Sequence, residues 1–233
     1  MKKSMLIISF TVTAILSGIL LWTPLSAAES EKMSASKHTG YTGSSSCREC
    51  HEKFYKLWAP SHHGLAMQPC TAELVKILNP QTEDIIVKNA QYRFVKNDDG
   101  ATVTEIIDGK NKEYPVLHAM GGKNVYYFLT KLDKGKLQVL PVAYDMRTNK
   151  WFDTAASAVR HFTGLPDEPY HWTDYPYTFN TSCYGCHVSQ MINTYDLKTD
   201  SYTTVWKEPG INCETCHGPA EKHLEIAHAN PDG

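Results

Sequence analysis

The sequence has no strong charge bias and, beyond residue 22, no long apolar run. Lys and Arg number 23 against 25 Asp and Glu, a formal net charge of −2. That balance excludes the basic surface through which a chain holds nucleic acid, and it mildly favours partners that dock through a basic face. The lack of a second apolar run excludes a further membrane span of the usual length. No Cys closely follows the first apolar run, so a lipid anchor at that point is not expected. What the first residues do hold is a leader. Lys2 and Lys3 precede an apolar run from Met5 to Trp22, and Ser26-Ala27-Ala28 then offers the small-x-small pattern cut by a signal peptidase. An uncleaved anchor is the competing reading, and Pro24 with the small residues after it favours cleavage. Residues 1–28 are therefore expected to be a signal peptide and 29–46 a polar linker. The product would be periplasmic or extracellular, with no stable membrane insertion after cleavage. Removal of Lys2 and Lys3 with the leader takes the net formal charge to −4.

The seven Cys carry most of the information. Six fall into three copies of one pattern: Cys47-Arg48-Glu49-Cys50-His51, Cys183-Tyr184-Gly185-Cys186-His187 and Cys213-Glu214-Thr215-Cys216-His217. Two thiols at this spacing can each form a thioether to one vinyl group of a porphyrin. The His that follows then lies under the ring as proximal iron ligand. A CxxC pair alone suits a disulfide or a zinc half-site equally well. Neither explains a His after every second Cys. With 11 His in 233 residues, chance supplies one such His about one time in twenty, and all three about once in ten thousand. Three covalently attached c-type haems are expected. Cys70, the seventh, follows Pro69 with nothing nearby to lower its pKa, and reads as a small buried hydrophobe rather than a reactive thiol.

A low-spin carrier needs a second strong ligand on each iron, usually His or Met. After His51, His187 and His217, eight His remain. His63 lies shortly after the first motif in Trp58-Ala59-Pro60-Ser61-His62-His63-Gly64. His223 lies six residues after His217, on a helix expected to open behind Gly218-Pro219. His118 precedes Gly121-Gly122, and His161 stands between Arg160 and Phe162. These four are the candidate distal ligands, with Met67 and Met191 as weaker alternatives. His38 reads as linker, and His228 lies near the end of the sequence.

The motifs are unevenly placed along the chain, and residues 71–180 form a long segment without one. A short amphipathic helix is expected over Ala72 to Leu78. Strands follow at Ile85 to Val87, Tyr92 to Val95 and Val103 to Ile107, with Asn97-Asp98-Asp99-Gly100 as a hairpin turn. Val125 to Leu129 and Leu137 to Ala143 are joined by a second hairpin signal, Asp133-Lys134-Gly135. A last pair runs through Tyr195 and Tyr202 to Trp206, turning at Lys198-Thr199-Asp200. The expected class is α+β. Residues 47–233 would form a multihaem cytochrome domain of short helices and loops, interrupted over 71–180 by an antiparallel β insertion.

Several segments resemble a family of multihaem c-type cytochromes that in bacteria often precede tetratricopeptide repeats. They are Tyr41-Thr42-Gly43-Ser44 leading into Cys47, then Trp58, Ser61-His62-His63 and Ala66-Met67. Leu137 to Asp145 with Trp151, Thr181-Ser182-Cys183 and Gly210 to Pro219 are similar to the same family. The resemblance implies bis-histidine haems, close packing of the two C-terminal ones, and ligand roles for His63 and His223. Relatives commonly continue into another CxxCH motif and helical repeats, whereas this sequence stops at Gly233.

Three functions fit motifs of this kind. The first is electron transfer between redox protein partners, which keeps every iron six-coordinate. The second is a multihaem oxidoreductase acting on a small nitrogen or sulfur compound at an open iron. That would need proton donors on a vacant face, for which His161 with Arg160, or Tyr126 and Tyr127, are the residue types available. The third, a structural or sensory haem protein, would need only one haem. Three motifs and eight further His favour the carrier. Assembly of copies that lend each other His ligands, as a homo-oligomer or filament, is compatible with the sequence but not indicated by it.

Overall fold

The computed structural model describes residues 39–157 and 170–230. The expected leader, His38 and His161 lie outside the described residues. Two antiparallel sheets make up the middle of the chain, and the three CxxCH motifs lie on short helices around one side of them. In chain order the first elements are helix α1 (Ser44–Trp58), strand β1 (Met67–Pro69), helix α2 (Ala72–Lys76) and strands β2 (Ile85–Val87), β3 (Ala90–Asn97), β4 (Gly100–Ile107) and β5 (Lys110–Pro115). Strands β6 (His118–Gly121), β7 (Val125–Lys131), β8 (Leu137–Asp145) and β9 (Lys150–Asp153) follow. Then come helices α3 (Phe179–Ser182) and α4 (Tyr184–His187), strands β10 (Val188–Ser189), β11 (Ile192–Asp196), β12 (Ser201–Val205) and β13 (Glu208–Pro209), and helices α5 (Cys213–His217) and α6 (Glu221–Ala229). The class is α+β.

The larger sheet has the order β1-β6-β7-β8-β9, and the smaller is the meander β2-β3-β4-β5. Strand β8 explains why its sequence is apolar almost throughout. Leu140, Val142 and Tyr144 point to one core while Leu137 and Val139 point to the other, as the two-residue period of a strand requires. Pro141 is tolerated there because the β7–β8 register shifts between Tyr127 and Leu129, so the missing N–H falls in an irregularity of the ladder. The first core joins the two sheets. Phe94 packs against Phe128 and Trp151 with ring centroids 4.8 and 4.6 Å apart. Within it Glu105 accepts from the hydroxyls of Tyr92 (2.7 Å) and Tyr114 (3.0 Å), and the Trp172 indole N–H donates to Tyr92 at 3.0 Å. Cys70 is part of this core at 8% exposure, and burial pushes its thiol up to about 11. That is the environment of a packed small hydrophobe, as expected.

The second core, on the other face of β8, holds Met67, Met120, Leu129, Phe179 and Val188, with Cys183 and Trp206 packed against it. It joins the sheet to the second CxxCH motif. Two buried amides lock that junction. Asn180 accepts from the Leu137 N–H at 2.7 Å and donates to Thr204 Oγ1 at 2.7 Å. Gln138 accepts from Thr178 Oγ1 and donates to the Asp174 carbonyl, both at 3.0 Å.

The expected hairpins form. Asn97 pairs with Gly100, Lys131 with Leu137, and Tyr195 with Tyr202. Gly135, at φ +72°, brings its turn against β12 so closely that a Cβ would lie 2.1 Å from the Tyr202 carbonyl oxygen. Helix α2 is capped by Thr71, whose side chain accepts from Leu74 N. The sequence reading missed β1, β5, β6, β9, β10 and β13. Strand β5 carries Lys-Asn-Lys-Glu and buries only Tyr114, as an exposed edge strand does. Its signal lay in Asp108-Gly109, both with positive φ, which make the tight Ile107–Lys110 turn.

Candidate functional site

The three CxxCH motifs occupy equivalent settings. In each, the first Cys is half-buried and the second exposed, and none of the six is in a disulfide. Burial pushes Cys183 up to about 11, with Cys186 contributing, and raises Cys47 as well. Thiols held protonated in this way are poor zinc ligands. Among the described residues, no group of three or more His, Cys, Asp or Glu could hold a metal ion without a further ligand set.

The first motif lies on α1, whose helical backbone kinks at His51 (φ −115°, ψ 40°). Its ring centroid lies 6.2 Å from that of His223 on α6, with the planes 18° from parallel. Metal–imidazole bonds of about 2.0–2.1 Å, with about 1.1 Å from nitrogen to ring centre, put the centroids of two axial ligands about 6.3 Å apart. The pair therefore has the separation of two imidazoles sharing one iron. Phe54 and Leu57, 69% and 67% exposed, lie along α1 at helical spacing from Cys50, and Ile226 is exposed one turn beyond His223. So much apolar side chain beside a His pair suits the face of a porphyrin.

The third motif is bound to the first. Helix α5 is capped by Asn212, which accepts from Thr215 N at 2.9 Å. Glu214, between the two Cys of this motif, is 2% exposed. One carboxylate oxygen accepts from Thr42 N (2.9 Å), Thr42 Oγ1 (3.3 Å) and Ala220 N (2.9 Å); the other accepts from Gly43 N at 2.8 Å. Gly43 and Ala220 are the residues before α1 and α6, so a single anion serves the N-termini of both helices, where it is favoured. Cys213 lies close enough to Cys47 to help raise its pKa, after burial, which is the larger cause.

The second motif joins the third through the β10–β13 pair and a hydrogen bond from Gly210 N to the His187 carbonyl. His187 Nδ1 lies 2.6 Å from the Ala66 carbonyl oxygen. With Nδ1 as donor, Nε2 is left to bind metal and the ligand gains basicity. The second motif is thus joined to the third, and the third to the first.

His63 sits at this junction, its carbonyl accepting from Ile211 N at 2.9 Å. A Cβ on Gly210 (φ +78°) would lie 3.0 Å from that carbonyl, so only Gly lets the approach to the third motif pass so near. His118 stands on the same face of β6 as Met120, toward the second core, with its ring 5.3 Å from that of Trp206. Burial lowers its pKa, which holds the ring in the neutral form that binds metal. Its Nδ1 is buried with no hydrogen-bond partner. Tyr126 is 3% exposed in the first core, which argues against a proton-donor role at an open iron.

A family model described as "Cytochrome c554 and c-prime" matches residues 166–218, which contain the second and third motifs. Over that stretch the chain is similar to this family of c-type cytochromes. Cytochromes of the c type bind haem covalently through CxxCH motifs, and the matched residues contain two of the three in this chain. Among solved structures, the chain is similar to the outer cell wall cytochrome OcwA, at 18% identity and a TM-score of 0.49. The match covers 82% of this chain and 34% of that one, so the chain spans about a third of that protein's length. No curated protein sequence matches. Among the described residues, no helix is long and apolar enough to cross a membrane. Glu214 and the pairing of His51 with His223 are the features sequence reasoning missed; the Glu within CxxCH carries no signal of its own.

Proposed function

We propose that the cytochrome is an exported three-haem electron carrier that passes electrons between redox protein partners. The observation that carries this reading is the His51–His223 pair, two imidazoles from separate helices at the spacing of axial ligands to one iron. Each of the three motifs would hold one haem by its two Cys, with His51, His187 and His217 as proximal ligands. His223 serves the first iron. His63 and His118 are the described candidates for the other two, which matches the number of irons to be filled, and His161 is the remaining candidate. Bound haem c supplies one-electron redox chemistry. The chain's own His side chains would hold each haem and deny small molecules a coordination site, while Glu214 ties the third motif to the starts of the two helices that carry His51 and His223. Acidic net charge on the mature chain suits partners with a basic face. Export is supported by the leader in residues 1–28.

The deciding experiment is an optical and paramagnetic spectrum of the protein matured with haem in a bacterial periplasm. All-low-spin iron is expected. A high-spin fraction of about one haem in three, able to bind cyanide or nitrite, would overturn the carrier reading in favour of an oxidoreductase with an open iron.

A further inference from the structure

Glu214 is the polar side chain that joins the most separate pieces of the haem framework. It is embedded in the third motif, yet none of its four hydrogen bonds goes to that motif's own helix. Three go to Thr42 and Gly43 at the start of the first motif's helix, and one to Ala220 at the start of the helix that carries His223. The His51–His223 pair is formed between those same two helices. The polar contacts that tie α6 to the rest of the chain are few. Besides Glu214, Glu221 N donates to the Gly40 carbonyl at 3.0 Å, and His228 approaches Glu49 at 3.8 Å across an exposed surface. No residue of α6 is buried, so apolar packing gives this helix little hold.

We infer that Glu214 is the positioning residue for the first haem: from within the third motif it holds the two helices at the separation that lets His223 ligate the iron bound by His51. The inference rests on the reading of His223 as that distal ligand. A buried carboxylate with four donors is a directional clamp, since each charge-assisted hydrogen bond fixes a position as well as contributing energy. Its removal frees the start of α6 and leaves the Gly43 and Thr42 amides unpaired. The third motif keeps both Cys, His217 and the Asn212 cap, so its own haem should be affected less than its neighbour's.

The test compares Glu214→Ala, Glu214→Gln and His223→Ala, each matured with haem, by the spin state of the iron and the effect of added imidazole. His223→Ala is expected to convert about one haem in three to high spin, and imidazole to restore it. Glu214→Ala should give the same high-spin signal with all haems still attached. The double variant should show no more high-spin iron than either single one, because both changes act on the same site. Glu214→Gln, which keeps one acceptor oxygen, should give a smaller fraction and serves where the Ala variant does not mature. If His223→Ala stays low-spin, the distal assignment itself fails. If His223→Ala turns high-spin while both Glu214 variants stay low-spin, the assignment stands and the positioning role is overturned. High-spin fractions that add in the double variant would also overturn it, since Glu214 would then be acting on another haem.

Discussion

Asn180 offers the most direct test of how the β sheets hold the second motif. It is fully buried three residues before Cys183, and its side chain bridges two hairpins. Asn180→Ala removes the acceptor of the Leu137 N–H, a buried donor at the start of the central strand. Leaving such a donor unpaired costs about 1–3 kcal/mol. The bond to Thr204 Oγ1 is only partly buried, and Thr204 also donates to Asn193 Oδ1 at 2.6 Å, so its loss adds about 0.5–1 kcal/mol. The expected total is about 1.5–4 kcal/mol. For a chain of this size each kcal/mol moves the midpoint by roughly 2–4 °C, so thermal unfolding followed by far-UV circular dichroism should shift down by about 3–16 °C. Thr204→Val keeps the buried bond to Leu137 and removes only the more exposed bonds of Thr204 to Asn180 and Asn193, so it should shift the midpoint less than Asn180→Ala does. Equal shifts for the two variants, or a change of less than about 1 °C for Asn180→Ala, would refute the assignment of Asn180 as the clamp.

Two further outcomes are expected from residues described above. The mass of the matured protein should exceed that of the cleaved polypeptide by three haems, and Cys183→Ala with Cys186→Ala should lower the count by one; an unchanged count would show that the second motif binds no haem. Cys70, with its thiol pushed up to about 11 by burial, has almost no thiolate at neutral pH. Iodoacetamide should therefore leave it unmodified in the native protein and alkylate it only after denaturation, as read by peptide mass; rapid native labelling would mean that the first core is open at that point.

What the sequence determined by itself is local chemistry. The CxxCH motifs are legible because attachment needs two thiols and an imidazole within five consecutive residues, a spacing that survives any fold. The hairpins at Asn97–Gly100, Asp133–Gly135 and Lys198–Asp200 were legible because a tight turn is specified by the residues in it. The helix behind Gly218-Pro219 and the burial of Cys70 followed from equally short-range signals. Strand β5 was hidden because an edge strand needs no apolar alternation, and most of its energy comes from pairing with β4.

Only the tertiary structure decided which histidines meet. Axial ligation joins residues whose chain separation is unconstrained, so nothing in the neighbourhood of His51 points to His223. The role of Glu214 was decided in the same way. Its four donors come from segments at opposite ends of the chain, and a carboxylate becomes a clamp only when burial leaves those amides no water to bind.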